Sequence, residues 1–310
     1  MPDRSTLDTP AVLDSPTDVA AALDRVGYLP DPGIATAAFL AIRMQRPLFL
    51  EGDPGVGKTA LAVALAQITG ATLVRLQCYE GIDASQALYD WDFPRQILHL
   101  RAAGAGGGDA GGPASGADTE ALEASLYQRR FLVARPILQA LETTPSVLLI
   151  DEIDRADDEF EAFLLEVLAD NAVTIPELGT IRAERAPLVV LTSNRTREVH
   201  DALKRRCLYH WLAHPQFARE VEIVRRHVPE AAQRLARDVA AVAGALRDAD
   251  LLKPPGIAES IDWTRALHVL GARSLDAETA TVTLGAAIKY HEDQVRVQRD
   301  LLPDLLERLG

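Results

Sequence analysis

The chain is short of cysteine, lysine and aromatic residues, and each shortage closes off a class of protein. Its two cysteines, Cys78 and Cys207, lie far apart, with no C-x-x-C pattern and no neighbouring histidine pair. That argues against a disulfide framework and a structural zinc site, and it suits a reducing, cytoplasmic setting. Aromatics make up 5% of the 310 residues, so a core must be built from Ala, Leu, Val and Ile, which the 48% hydrophobic content supplies. Lysine occurs four times, acids outnumber bases 45 to 32, and the net charge is −13. A generic nucleic-acid binder needs a phosphate-neutralising surface, so this balance argues against nucleic acid as a partner. No apolar run is long enough to span a membrane, and the acidic residues 1–30 carry no stretch resembling a secretory signal.

What the sequence does hold is concentrated in residues 48–61. Leu48-Phe49-Leu50 reads as a buried strand and Ala60 onward as a helix. Between them Gly52-Asp53-Pro54-Gly55-Val56-Gly57-Lys58-Thr59 fits G-x-x-x-x-G-K-[ST], the phosphate-binding P-loop. Such a loop wraps phosphate with its own N–H groups, and only glycine lets the backbone come that close. The following helix, opening near Ala60, turns its positive end to the same phosphates. Lys58 is expected to reach the β- and γ-phosphates and Thr59 to place its hydroxyl on Mg²⁺, so the string predicts a site for a nucleoside triphosphate with Mg²⁺.

The rest of the chain surrounds that stretch. Residues 1–16 are rich in Asp, Pro, Ser and Thr and read as a disordered tail, with Thr17 or Asp18 capping a helix through Val26. In the turn-rich connector 27–33, Tyr28 and Leu29 are either adenine contacts or parts of a plain turn. Residues 74–77, 146–150 and 188–192 read as strands, 173–182 as a hairpin turning near Gly179, and 83–101 and 119–141 as interrupted helices. The glycine-rich 102–118 supports no packed element and reads as a flexible insertion. Trp91 and Phe93, as large aromatics, are expected in the core. Beyond 214 only helices are predicted, among them 217–227, 231–247, 263–270, 277–290 and 293–302, with Pro303 ending or kinking the last. Strands alternating with helices predict an α/β P-loop domain over 17–214, its parallel sheet flanked by helices, followed by a smaller all-α lid over 215–310.

Asp151-Glu152 ends the apolar strand 146–150. After a P-loop such a pair has a mechanism: Asp151 holds the metal and Glu152 polarises the attacking water as general base. A helix-capping acidic cluster is the competing reading. Asn194 ends the next strand at the ligand-binding edge, where it could orient the water or touch the γ-phosphate, or serve as a turn residue.

With GDPGVGKT, VLLIDEIDRA, VTIPELGTI, VVLTSNRTRE and DALKRRCLYHW in place, the chain from about 17 to 300 resembles the AAA+ ATPases of the MoxR-type branch. The last string, with LYDWDFPRQILHLR and SIDWTRAL, is most similar to the CoxD-like accessory ATPases of carbon monoxide dehydrogenase and related molybdenum hydroxylases. The resemblance implies a homo-oligomeric ring of six subunits with nucleotide between neighbours. It further implies a von Willebrand factor A domain partner and a metalloenzyme client. It assigns an arginine finger to Arg206, with Arg205 as the fallback, against a basic helix end complementing the dipole. It makes Arg265 a lid arginine that senses nucleotide, against an ordinary surface arginine, and it places Gln77 where a polar residue can restrain Glu152. The implied activity is ATP-driven remodelling of a client protein. A nucleic-acid motor or loader and a nucleotide-gated scaffold with little turnover are the alternatives.

Overall fold

The computed structural model describes residues 13–106 and 125–309. Most of the glycine-rich insertion, the tail 1–12 and the start of the helix expected from 119 lie outside the described residues. Nine strands are described: β1 Leu48–Gly52, β2 Thr72–Gln77, β3 Tyr89–Trp91, β4 Leu132–Ala134, β5 Ser146–Asp151, β6 Ala172–Ile175, β7 Gly179–Arg182, β8 Leu188–Ser193 and β9 Leu208–Leu212. Five form one sheet in the order β2-β5-β8-β1-β9, flanked by helices, and the C-terminal region is helical. The architecture is the α/β P-loop NTPase arrangement that the sequence predicts, a parallel sheet flanked by helices with a helical C-terminal region.

The described chain divides into two compact units. One comprises 36–49, 65–106 and 125–209; the other comprises 13–35, 50–64 and 210–309. In the first, β2 pairs in parallel with β5, from Thr72 opposite Ser146 to Gln77 opposite Asp151, and β5 pairs in parallel with β8. Every residue of β5 is buried, which explains its nearly unbroken apolar sequence: a central parallel strand is covered on both faces. Phe49, Leu76, Leu148, Ile150, Phe160, Leu164 and Leu191 belong to its core. The helix Asp158–Asp170 is capped by the Asp157 carboxylate, which accepts from the Phe160 N–H at 2.9 Å, and ends on Asn171 in a left-handed conformation. The hairpin β6–β7 pairs Val173 with Ile181 around a turn that delivers Gly179 at φ 80°, a conformation glycine adopts without cost.

Three elements depart from the sequence pattern. β3 and β4 form an antiparallel hairpin inside stretches expected to be helical. Each strand is three residues long, too short to show a period of two. Trp91 packs edge-on against Tyr127 at 5.3 Å and leans on the core, whereas Phe93, expected there too, is 59% exposed at the start of the helix Phe93–Gly106. β9 was not expected as a strand, because its Tyr209 and Trp211 face outward. At the amino end Ser15, not Thr17 or Asp18, caps the first helix, Pro16–Arg25, with Pro16 in its first turn.

The second unit is built on helices Phe217–His227, Gln233–Arg247 and Ile257–Val269. Helix Ile257–Val269 begins six residues before the expected start because the Glu259 carboxylate caps the Gly256 N–H at 3.0 Å. Pro303 sits in the first turn of helix Leu302–Glu307, just after a π-helical turn at Val297–Leu301, where its missing N–H costs nothing. Trp263, fully buried among Leu235, Val239, Leu267 and Leu284, donates its indole N–H to Thr283 Oγ1 at 2.8 Å. Trp263→Ala removes the largest side chain of this core and is expected to cost about 3–5 kcal/mol. A urea titration followed by the helical signal of this region checks it, and a loss under about 1 kcal/mol would mean the site collapses without penalty.

Candidate nucleotide site

The second unit carries the P-loop. β1 ends at Gly52, and a Cβ added there would stand 2.2 Å from the Leu212 carbonyl oxygen. Gly55 has φ 78°, and a Cβ on it would meet Glu259 Oε2 at 3.1 Å and Gly256 Cα at 3.2 Å. The loop therefore has no room for side chains at these positions, which leaves its backbone as the lining. Asp53, Pro54 and Gly55 are exposed, Val56 is buried, Gly57 is half-buried at φ 100°, and Ala60 is exposed in the helix Lys58–Thr69. Lys58 is buried, and its Nζ donates to the carbonyls of Gly52 and Asp53, each at 2.7 Å. The ammonium is thus held inside its own loop at the amino end of the helix that Lys58 opens.

Several residues gather on this loop within the unit. A Tyr28 ring carbon lies 3.9 Å from where a Gly57 Cβ would be, so the connector does reach the loop. Burial, with the charge of Asp31 adding to it, pushes the Tyr28 phenol well above its ordinary value. The Leu29 carbonyl accepts from Arg219 at 2.6 Å. The Ile257 N–H donates to the Gly55 carbonyl at 3.1 Å, so helix Ile257–Val269 starts directly on the loop. Arg265, two turns further along, is 54% exposed and pairs with Asp262 at 3.1 Å. His214 Nε2 stands 3.7 Å from Asp53 Oδ2, while its buried Nδ1 has no hydrogen-bond partner among the described residues. Burial first, then Arg247, lowers the pKa of this imidazole, with Lys58 adding to the effect and Asp53 and Glu259 opposing it.

The first unit carries the acidic centre. Asp151 is the last residue of β5 and is only 4% exposed. Thr192 Oγ1 of β8 donates to Asp151 Oδ1 at 2.5 Å and accepts from the Glu152 N–H at 3.0 Å. One buried hydroxyl thus ties both acids together. Glu152 has φ 56°, a left-handed conformation rare for a side chain of its kind, and its carboxylate is one-third exposed beside Arg155 Nε at 3.2 Å. Asn194 follows β8 directly. Its N–H lies 3.2 Å from Asp154 Oδ1, and buried Asp154 also accepts from the Thr196 N–H at 2.9 Å and hydroxyl at 2.7 Å. Gln77 does not hold Glu152; its Oε1 instead accepts from Arg75 at 2.6 Å.

Helix Asp201–Arg206 places Arg205 and Arg206 in its last turn, both exposed. The Arg206 guanidinium donates to the Leu165 carbonyl. Arg46 clamps the helix end, donating to the carbonyls of Arg205 at 3.1 Å and of Arg206 and Cys207 at 3.3 Å. Cys78 and Cys207 are free and buried, and burial pushes both thiols up to about 12, where no reactive thiolate forms at neutral pH. Residue types alone could not single out Thr192 or Asp154: each is one of many small polar residues, and only the register of β8 on β5 selects them.

The donors suit a hard cation. In the first unit the buried Asp151 carboxylate is an oxygen ligand of the kind Mg²⁺ takes. In the second, taken by itself, the glycine-lined loop accepts phosphate without a Cβ in its way.

Residues 47–207, just over half of the chain, match the family model described as AAA domain (dynein-related subfamily). A 48-residue stretch is 56% identical to Midasin of Giardia intestinalis; it spans 16% of this chain and 1% of that protein. The Thermotoga maritima RuvB Holliday junction branch migration motor is 17% identical, with 84% of this chain and 67% of that chain covered, at a TM-score of 0.45. A proline-to-glycine mutant of the same RuvB is 16% identical, with 97% and 85% covered, at 0.48. No helix among the described residues is long and apolar enough to cross a membrane. On the match over residues 47–207, the chain belongs to the AAA domain family, in its dynein-related subfamily, a family of ATPases that bind ATP with Mg²⁺.

Proposed function

We propose that ATP hydrolysis by this chain drives remodelling of a client protein, and that Glu152 is the base that makes hydrolysis possible. The observation that carries the catalytic part is the Thr192 bridge. Its hydroxyl fixes the Asp151 carboxylate and the Glu152 backbone together, so an acid that would hold metal and an acid that would receive a proton share one anchor. In this reading the backbone from Gly52 to Gly57 binds the phosphates, Lys58 moves from its two carbonyls onto them, and Thr59 and Asp151 hold Mg²⁺. When bound, Mg²⁺ neutralises charge that builds on the phosphate oxygens. The Glu152 carboxylate takes the proton of the attacking water at its exposed oxygen, and the Asn194 amide orients that water.

AAA ATPases typically assemble as rings, and we extend this to a hexamer in which an arginine of one copy completes the site of the next. Arg206 remains the first choice for that finger on its match to the MoxR-type pattern. Arg205, which shares the exposed helix end, is the second. Tyr28 and Leu29 are assigned to the adenine side of the loop and Arg265 to nucleotide sensing from the helical region. Tyr28 is supported by its approach to Gly57, whereas Arg265 has to leave Asp262 to act. The 102–118 segment is assigned to an insertion and 215–310 to the moving lid. The MoxR and CoxD-like strings LYDWDFPRQILHLR and SIDWTRAL support the finer reading: a molybdenum-hydroxylase-type client in the cytoplasm, handled with a von Willebrand factor A domain partner.

Glu152→Gln keeps the shape of the base and removes its proton affinity. Turnover is expected to fall about 10²- to 10⁴-fold with ATP still bound, as measured by phosphate release and fluorescent-nucleotide titration. The stalled protein should then retain its client in an ATP-dependent pull-down. Recovery of nuclease-sensitive material in place of a metalloenzyme would overturn the client assignment. Thr192→Val keeps the volume but leaves the Glu152 N–H unsatisfied, a loss of about 1–3 kcal/mol at the acidic centre. It is expected to lower kcat at least tenfold while nucleotide affinity changes less than about twofold. An equal loss in both would place Thr192 in binding instead.

A further inference from the structure

Asp151 carries a second contact that hydrolysis does not call for. Besides the Thr192 hydroxyl on Oδ1, its Oδ2 takes the Nη2 of Arg75 at 2.5 Å. Arg75 lies on β2, at the end of the sheet order, and its Cα pairs with Leu149, two residues short of Asp151. The side chain therefore runs along the sheet to reach the carboxylate. Gln77, the register partner of Asp151, accepts from the same Nη2 at 2.6 Å and props the guanidinium in place.

The two ends of this ion pair are unequal. The Asp151 side chain is 5% exposed and the Arg75 side chain 53% exposed. A buried carboxylate needs a counter-charge where it stands, whereas an arginine half in water gives up little by leaving. Among the described residues the guanidinium's partners are Asp151 and Gln77. A divalent cation on Asp151 would be repelled by a guanidinium on the same carboxylate, and one negative charge cannot satisfy both.

We propose that Arg75 is a displaceable counter-ion of Asp151, which neutralises the carboxylate until a divalent metal takes its place and so competes with that metal. This rests on the assignment of Asp151 to the metal. Arg75 acts here as a positioning residue; it holds the acidic centre in a neutral, metal-excluding form, and Gln77 sets how firmly it does so. Metal entry then requires the arginine to swing into solvent, which its exposed path permits.

The test is a Mn²⁺ titration of the full chain, read by electron paramagnetic resonance in the presence of a non-hydrolysable ATP analogue. Wild type, Arg75→Gln, Arg75→Lys and Asp151→Asn are compared. Arg75→Gln is expected to bind Mn²⁺ about two- to fivefold tighter, the size of a partly exposed ion pair. Arg75→Lys should fall between it and wild type, because an ammonium keeps the charge but sits on a shorter, differently shaped stem than the Nη2 that donates to both Asp151 and Gln77. Affinity for the analogue in chelator should be the same in all three. Unchanged or weaker Mn²⁺ binding in Arg75→Gln, with binding still lost in Asp151→Asn, would overturn the competition and leave the metal assignment standing. Full Mn²⁺ affinity in Asp151→Asn would overturn the metal assignment and the competition with it.

Discussion

A carboxylate that is 4% exposed at the end of an apolar strand must be compensated where it stands, and the first unit is arranged around that requirement. Leaving Asp151 unpaired would cost several kcal/mol. Thr192 from β8 on one oxygen and Arg75 from β2 on the other both work against this. The strands flanking β5 therefore each supply one partner, and the parallel register that buries Leu148 and Ile150 also sets the polar ends level. Glu152 follows from the same constraint. Its left-handed backbone costs about 1–3 kcal/mol and persists only when its surroundings fix it. The Thr192 hydroxyl, already committed to Asp151, supplies that fixing bond.

In the second unit the governing constraint is steric. Gly52 stands against a backbone carbonyl and Gly55 against Gly256, so the loop is held by neighbours that leave no room for a Cβ. Two glycine backbones in contact cannot adjust by rotating a side chain. A shift of the loop on taking up phosphate must therefore be met by Gly256 and by the helix it opens, through the Ile257 N–H on the Gly55 carbonyl. Asp53 and His214 stand at the other end of the loop, where lowered basicity keeps the imidazole from adding a second cation beside Lys58.

Much of this was legible in the sequence because it depends on local pattern. The P-loop string, the apolar β5 ending in Asp151-Glu152 and the β6–β7 hairpin each announce themselves within ten residues. The missing parts were those that depend on tertiary register. Thr192 and Asp154 are ordinary polar residues until β8 is laid on β5. Gln77 was read as a partner of Glu152, but alternation along β2 puts it on the same side as Arg75, which takes it first. Residue type alone puts Phe93 in the core, yet it is the exposed first residue of its helix, whose start Asp92 caps. β3, β4 and β9 are short or half-exposed, and neither periodicity nor apolar content marks such strands.

The division of labour between the two kinds of base follows from their shapes. Of 32 basic residues only four are lysine, and Lys58 sits in the loop. Several arginines donate to backbone carbonyls: Arg46 as a fork on 205 to 207, and Arg206 on Leu165 and Arg219 on Leu29 through one nitrogen each. A planar fork fits those fixed targets because its donors are already aligned. The loop needs the opposite, a compact ammonium that can rest on the Gly52 and Asp53 carbonyls and exchange them for phosphate oxygens without rebuilding a planar geometry. At Asp151 the requirement reverses again. There one guanidinium nitrogen on a half-exposed stem rests on the acid until something more highly charged arrives. The ammonium of Lys58 and the guanidinium of Arg75 thus each suit the exchange that their own site requires.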